Sequence, residues 1–174
     1  MEIAFLPQNS IKLKGKQKTL VIDPQFLKSK TVADASLFLD ATAESAEALV
    51  EGNSLTIQGP GEYEIGGIKI TGMKSGEQVV YVLAMDGLDI LVAKESALPK
   101  LKDTLGEYHI VVLQATGIAD QSLVAALNAN VLAFYGEKKE ENVKAFGVDN
   151  PTPIGKYVAA KDKLPEDTQV VLLA

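Results

Sequence analysis

The spacing of apolar and polar positions divides the chain in two. The first half is a series of short runs, alternating or clustered, set between turn residues, which is the pattern of β-strands. "EIAFL" (2–6), "SIKLK" (10–14) and "KTLVID" (18–23) predict three strands, with Gly15-Lys16 making a tight hairpin between the last two. Lys12, Lys14, Lys16 and Lys18 recur with period two, which predicts a solvated strand face or a protected edge, with an anion-binding stripe as the sharper alternative. "SLFL" (36–39) predicts a strand that stops at Asp40, a helix follows over residues 42–51 and ends at Gly52, and "SLTIQ" (54–58) is a further strand. From residue 59 to 95, Gly59-Pro60-Gly61, Gly66-Gly67, Ser75-Gly76 and Asp86-Gly87 punctuate a β-meander.

After residue 96 the period changes. "ALPKLKDTL", "ADQSLVAALN" and "EKKEENVKAFG" read as helices, "HIVVLQA" and "NVLAFYG" as buried strands, and "GKYVAA" and "TQVVLLA" as closing strands. Alternating helices and strands imply parallel pairing. A long meander followed by such units predicts two sheets with helices outside, in one α/β (α+β) domain spanning 1–174; a doubly wound single sheet fits less well. No linker, low-complexity segment or internal repeat interrupts it.

Composition narrows the chemistry. The chain has 174 residues, 47% hydrophobic and 23% charged, with a net charge of −6. All its basic residues are lysine, so bidentate arginine recognition of phosphates and guanines is excluded, and no nucleic-acid partner is expected. It has no cysteine, which excludes disulfides, thiolate metal sites and cysteine nucleophiles. The first residues do not read as a signal peptide, and the longest apolar run, Val79 to Met85, is too short to cross a bilayer. A bacterial or archaeal cytoplasm and no membrane partner are the expectation.

Familiar motifs fail one by one. "GPGEYEIGG" has Glu64 where the dinucleotide fingerprint needs glycine, and a strand follows it where a helix should; its glycines read as turns and bulges. Gly155-Lys156 has no glycine at the upstream spacing of a phosphate-binding loop. The single histidine, His109, precedes a buried strand and reads as structural; without a G-x-S-x-G elbow it serves no serine triad, and alone it builds no zinc site. A carboxylate site for a hard cation stays open.

Several phrases resemble the metallo-β-lactamase superfamily, in particular its small prokaryotic branch of metal-dependent hydrolases. They are "IAFLPQNSIKLKGKQKTLVIDP", "ADASLFL", "GPGEYEIGGIKITGM", "GLDILVAKE", "YHIVVLQATG" and "KLPEDTQVVLL", and they run through the whole chain. The resemblance implies a four-layer αββα sandwich. It also implies where metal ligands would stand, because active members carry H-x-H-x-D-H directly after the strand equivalent to "SLFL". Here the histidine positions fall on Asp40, Thr42 and Ser45 and the aspartate position on Glu44. The later histidine falls near Gly136, the metal-bridging aspartate near Glu95, and the histidine of the first hairpin near Gln8.

On this alignment every histidine ligand is lost. The resemblance therefore implies a catalytically degenerate, metal-free protein acting as a binding or scaffold module, with no cofactor and an unknown protein or small-molecule partner. One variant of this reading is an interaction subunit whose partner supplies the active site. The alternative is a weak hydrolase with magnesium, manganese or calcium held by Asp40, Glu44 and Glu95. Three carboxylates would repel one another in an empty buried pocket, and Lys94 is the candidate to compensate them. Asp40 or Thr42 can equally cap the following helix, with Glu44 favouring its positive end.

Overall fold

In a computed structural model, residues 1–42 and 49–174 are described. The first sheet is built from β1 (Glu2–Leu6), β2 (Ser10–Lys14), β3 (Thr19–Ile22), β5 (Ala35–Leu37), β7 (Leu55–Ile57) and β14 (Lys156–Val158), in the order β14-β1-β2-β3-β5-β7. The second holds β8 (Gly61–Ile65), β9 (Ile68–Ser75), β10 (Gln78–Met85), β11 (Leu88–Lys94), β12 (Ile110–Gln114), β13 (Val131–Tyr135) and β15 (Gln169–Leu172), in the order β15-β13-β12-β11-β10-β9-β8. The meander supplies its antiparallel half, while β11, β12, β13 and β15 pair in parallel, as the alternating second half of the sequence predicts.

Period two explains the layers. In β12, Ile110 and Val112 face the other sheet and join Ile3, Leu13, Leu20, Ile22 and Tyr81 in the central core. Val111 and Leu113 face outward against Ala97, Leu98, Val124 and Val143, which lie on the short helical elements outside the second sheet. A strand buried on both faces needs an almost unbroken apolar run, and "IVVL" and "VLAF" are such runs. Outside the second sheet lie a 3₁₀ helix (Glu95–Leu101), α1 (Gln121–Ala125) and α2 (Lys139–Ala145). "ALPKLKDTL" is the 3₁₀ element and not an α-helix, and Pro99 inside it has no N–H to extend an α-helical ladder.

Outside the first sheet the described residues are a 3₁₀ turn (Pro24–Phe26) and a two-stranded parallel ribbon, β4 (Thr31–Val32) with β6 (Val50–Glu51). The sequence predicts a helix over 42–51, but its last two residues form this ribbon. Val50 buries itself with Val21, Leu27 and Ala33, and the Glu51 carbonyl accepts from the Ala33 N–H at 3.1 Å. The middle of that span, 43–48, lies outside the described residues. Gly66 and Gly67 sit at φ 53° and 80° between β8 and β9, the turn role expected of "GPGEYEIGG".

Candidate functional site at the carboxyl ends of the strands

Three neighbouring strands of the second sheet stop at one level. Lys94 ends β11, Gln114 ends β12 and Tyr135 ends β13, and the parallel register pairs Lys94 with Gln114 and Gln114 with Tyr135. Each continues the inward phase of its strand, after Ile90 and Val92, Ile110 and Val112, and Val131 and Ala133. The last inward row of a greasy sheet is therefore polar. It lies at the carboxyl ends of parallel strands, where α/β folds keep their sites. Gln114 is buried and its Nε2 donates to the Asn9 carbonyl at 3.5 Å.

From the first sheet the chain enters this region twice, at Asp23 after β3 and at Phe38-Leu39-Asp40 after β5. The second entry is pinned by backbone bonds: the Val79 N–H donates to the Leu39 carbonyl and the Ala41 N–H to the Glu77 carbonyl, each at 2.8 Å. The buried Tyr81 hydroxyl adds a bond to the Phe38 carbonyl at 3.0 Å.

Among the described residues Asp40 joins no cluster of carboxylates that could hold a metal. Lys94 Nζ donates to both of its oxygens, at 2.8 and 2.6 Å, with the lysine side chain 14% exposed and the aspartate 31%. The compensating lysine expected from the sequence is thus in place on Asp40. Glu95 points into a different environment. It follows the phase of Leu91 and Ala93, which face the outer helical layer. Its Oε2 accepts from the Thr116 N–H at 3.0 Å and its Oε1 from the Gly117 N–H at 2.7 Å and the Thr116 hydroxyl at 3.0 Å. That buried carboxylate fastens the loop after β12.

The remaining positions divide likewise. Gln8 sits at φ 69° in the exposed β1–β2 turn, where its amide, turned to satisfy both neighbours, donates to the Phe26 carbonyl at 3.0 Å and accepts from Lys28 at 3.2 Å. Thr42 is exposed in the turn after Asp40. Glu44 and Ser45, and the helix start that Asp40 or Thr42 would cap, lie outside the described residues. Gly136 has φ 101°, and a Cβ there would stand 2.8 Å from the Ala115 carbonyl oxygen and 3.1 Å from its nitrogen. A side chain of any kind, histidine included, does not fit that backbone. Among the described residues no group of three His, Cys, Asp or Glu that could hold a metal is brought together.

Asp23 is the residue that the sequence did not mark. It is fully buried, at φ 52°, and Oδ1 accepts from the Leu39 N–H at 2.8 Å and from Gln25 Nε2 at 3.3 Å. Its Oδ2 has no hydrogen-bond partner among the described residues, and neither do Gln25 Oε1 and Tyr135 Oη. Burial pushes the Asp23 carboxyl up to about 6, against the bonds from Leu39 and Gln25 and the charge of Lys94, with Asp40 adding slightly to the rise. Burial, and then the Asp23 charge, pushes the Tyr135 hydroxyl well up.

His109 stands at the opposite end of the sheet. Its Nδ1 accepts from the Asp89 N–H at 3.0 Å. It lines an open cavity of about 370 Å³ with Glu107, Asn128, Asn130 and Glu166, away from Asp40 and Lys94.

No protein-family model matches the sequence, and neither does any curated protein. Solved structures do match. A proposed zinc-dependent hydrolase of the metallo-β-lactamase superfamily from Thermotoga maritima superposes with a TM-score of 0.76 at 21% identity, over 99% of this chain and 98% of that one. A proposed metal-dependent hydrolase from Parabacteroides distasonis gives 0.60 at 16% identity, over 99% and 93%. A diphosphatase of the PhnP family gives 0.50 at 15% identity, over 94% and 80%. The chain has the metallo-β-lactamase fold, the αββα sandwich its sequence resembles. No helix among the described residues is long and apolar enough to cross a membrane.

Proposed function

We propose that this chain is a non-hydrolytic member of the metallo-β-lactamase fold that holds no zinc or other divalent metal ion and is kept as a binding or scaffold module. The observation that carries the reading is the Lys94 ammonium on both oxygens of Asp40. At the strand end where the fold's hydrolases put their first imidazole ligands, this chain has an ion pair made from its own residues. A zinc ion needs neutral imidazole or thiolate donors and an open position for water. The donors at the matching described positions are a carboxylate already paired with lysine, a hydroxyl, an exposed amide, a glycine and a carboxylate already bonded to Thr116 and Gly117. They do not fit such an ion.

The test is hydrolysis. The purified chain is assayed on aryl esters, β-lactams and phosphodiesters with zinc, manganese, magnesium or calcium added, beside Asp40→Ala and Glu95→Ala. The reading expects all three proteins to match the protein-free rate. A metal-dependent rate in the wild type that both variants lose together would sink it, and would point to the carboxylate-bound cation.

A further inference from the structure

The buried side-chain atoms left without a hydrogen-bond partner among the described residues are Asp23 Oδ2, Gln25 Oε1 and Tyr135 Oη. All three are oxygens, and backbone and side-chain bonds lead from one to the next: Tyr135 is paired with Gln114, Gln114 Nε2 donates to the Asn9 carbonyl, and the adjacent Ser10 hydroxyl donates to the Asp23 carbonyl at 2.8 Å. Gln25 is bonded to Asp23 through its amide nitrogen, so its orphan oxygen sits beside that carboxylate. Tyr135 ends the inward polar row of the second sheet and feels the Asp23 charge. Native proteins rarely leave such atoms unsatisfied, and a bound ion is one way of satisfying them. We propose that these three oxygens hold one monovalent cation, an alkali-metal ion or ammonium, next to the Asp40–Lys94 pair.

Three features select that class. The donors are a carboxylate, an amide carbonyl and a hydroxyl, the hard oxygen set that suits alkali ions and ammonium and not softer transition metals. The charge balances: Lys94 and Asp40 cancel each other, and Asp23 is left with one negative charge that no lysine contacts. Calcium and magnesium sites gather several carboxylates, and a divalent ion here would leave a buried excess of positive charge. A water molecule would satisfy the same lone pairs but would leave the Asp23 charge unbalanced. This site does not depend on whether the chain hydrolyses anything, and it takes an ion that the hydrolase reading does not use.

The experiment is thermal unfolding of the full chain at pH 8 in choline chloride, with choline replaced stepwise by sodium, potassium or ammonium at constant ionic strength. At ten times Kd the linkage gives a rise of roughly 3–6 °C for a chain of this size. We expect at least one of the three ions to raise Tm saturably. Asp23→Asn, whose amide still accepts from Leu39 and tolerates the left-handed backbone, should abolish the rise. Gln25→Ala, at a half-buried position, should move the midpoint up by about tenfold and keeps the test alive if the Asp23 variant fails to fold. A Tm that is the same in all four salts means water alone fills the space, and overturns the site. So does a saturable rise that persists unchanged in both variants.

Discussion

Asp23 shows how one buried group sets a pH dependence. Its folded value, about 6, lies above the ordinary 3.8, because burial disfavours the ion more than Leu39, Gln25 and Lys94 favour it. The folded protein therefore holds this proton more tightly than the unfolded chain. Stability from this group is greatest below about pH 4, falls as pH rises to about 6, and is flat above that. The span is on the order of 3 kcal/mol. Asp34 works in the opposite sense, since its bonds to Lys18 and Thr19 hold it below the usual range, so the total slope mixes signs. The clean observable is the difference between wild type and Asp23→Asn in denaturant unfolding between pH 4 and pH 7, in choline buffer. We expect the wild type to lose ground to the variant across that window; parallel curves would contradict the assignment. Glu95 makes the complementary case. Its bonds to Thr116 and Gly117 predict that Glu95→Ala costs about 2–3 kcal/mol of stability, read by the same unfolding assay. An unchanged midpoint would show that the loop does not depend on it.

Elements explain why the sequence was legible in some places and not in others. The parallel strands were plain, because a strand covered on both faces must be almost wholly apolar. β4 and β6 were not, because two residues carry no period, and Val50–Glu51 reads as the tail of a helix. The site follows the same rule. Lys94 is legible by its charge, but Glu95, next to it in sequence, begins the 3₁₀ helix after β11 and turns its carboxylate to Thr116 and Gly117. Gln114 and Tyr135 looked like ordinary strand ends; counting the inward phase of "IVVLQ" and "VLAFY" would have put both in one polar row. Asp23 reads as the last residue of the strand "KTLVID". Gly136 tests the element view directly. Gly147 has a similar φ of 90° with nothing within 4 Å of a Cβ, whereas Gly136 meets the Ala115 backbone. Gly147→Ala should cost about 1–2 kcal/mol for the backbone alone. Gly136→Ala should cost more, by at least about 1 kcal/mol, because β12 and β13 must separate. Equal losses would show that the close approach does not matter.

At the scale of the whole molecule, the sandwich is shared with the solved neighbours, and the carboxyl ends of its strands carry the Asp40–Lys94 ion pair. Two stacked sheets hold the core, and the polar row with its facing turns needs only local residues to become an ion-pair site. The same scaffold in its solved neighbours is assigned to metal-dependent hydrolysis, so the fold alone does not decide the matter. The decisive measurement is elemental analysis of the untagged, undialysed protein for zinc, iron, manganese, magnesium and calcium, followed by thermal titration with each ion. The account predicts well below one equivalent of each of these five metals and no saturable stabilisation by any divalent ion. One equivalent of a bound metal, or a saturable rise in Tm with one of these ions that Asp40→Ala removes, would contradict it.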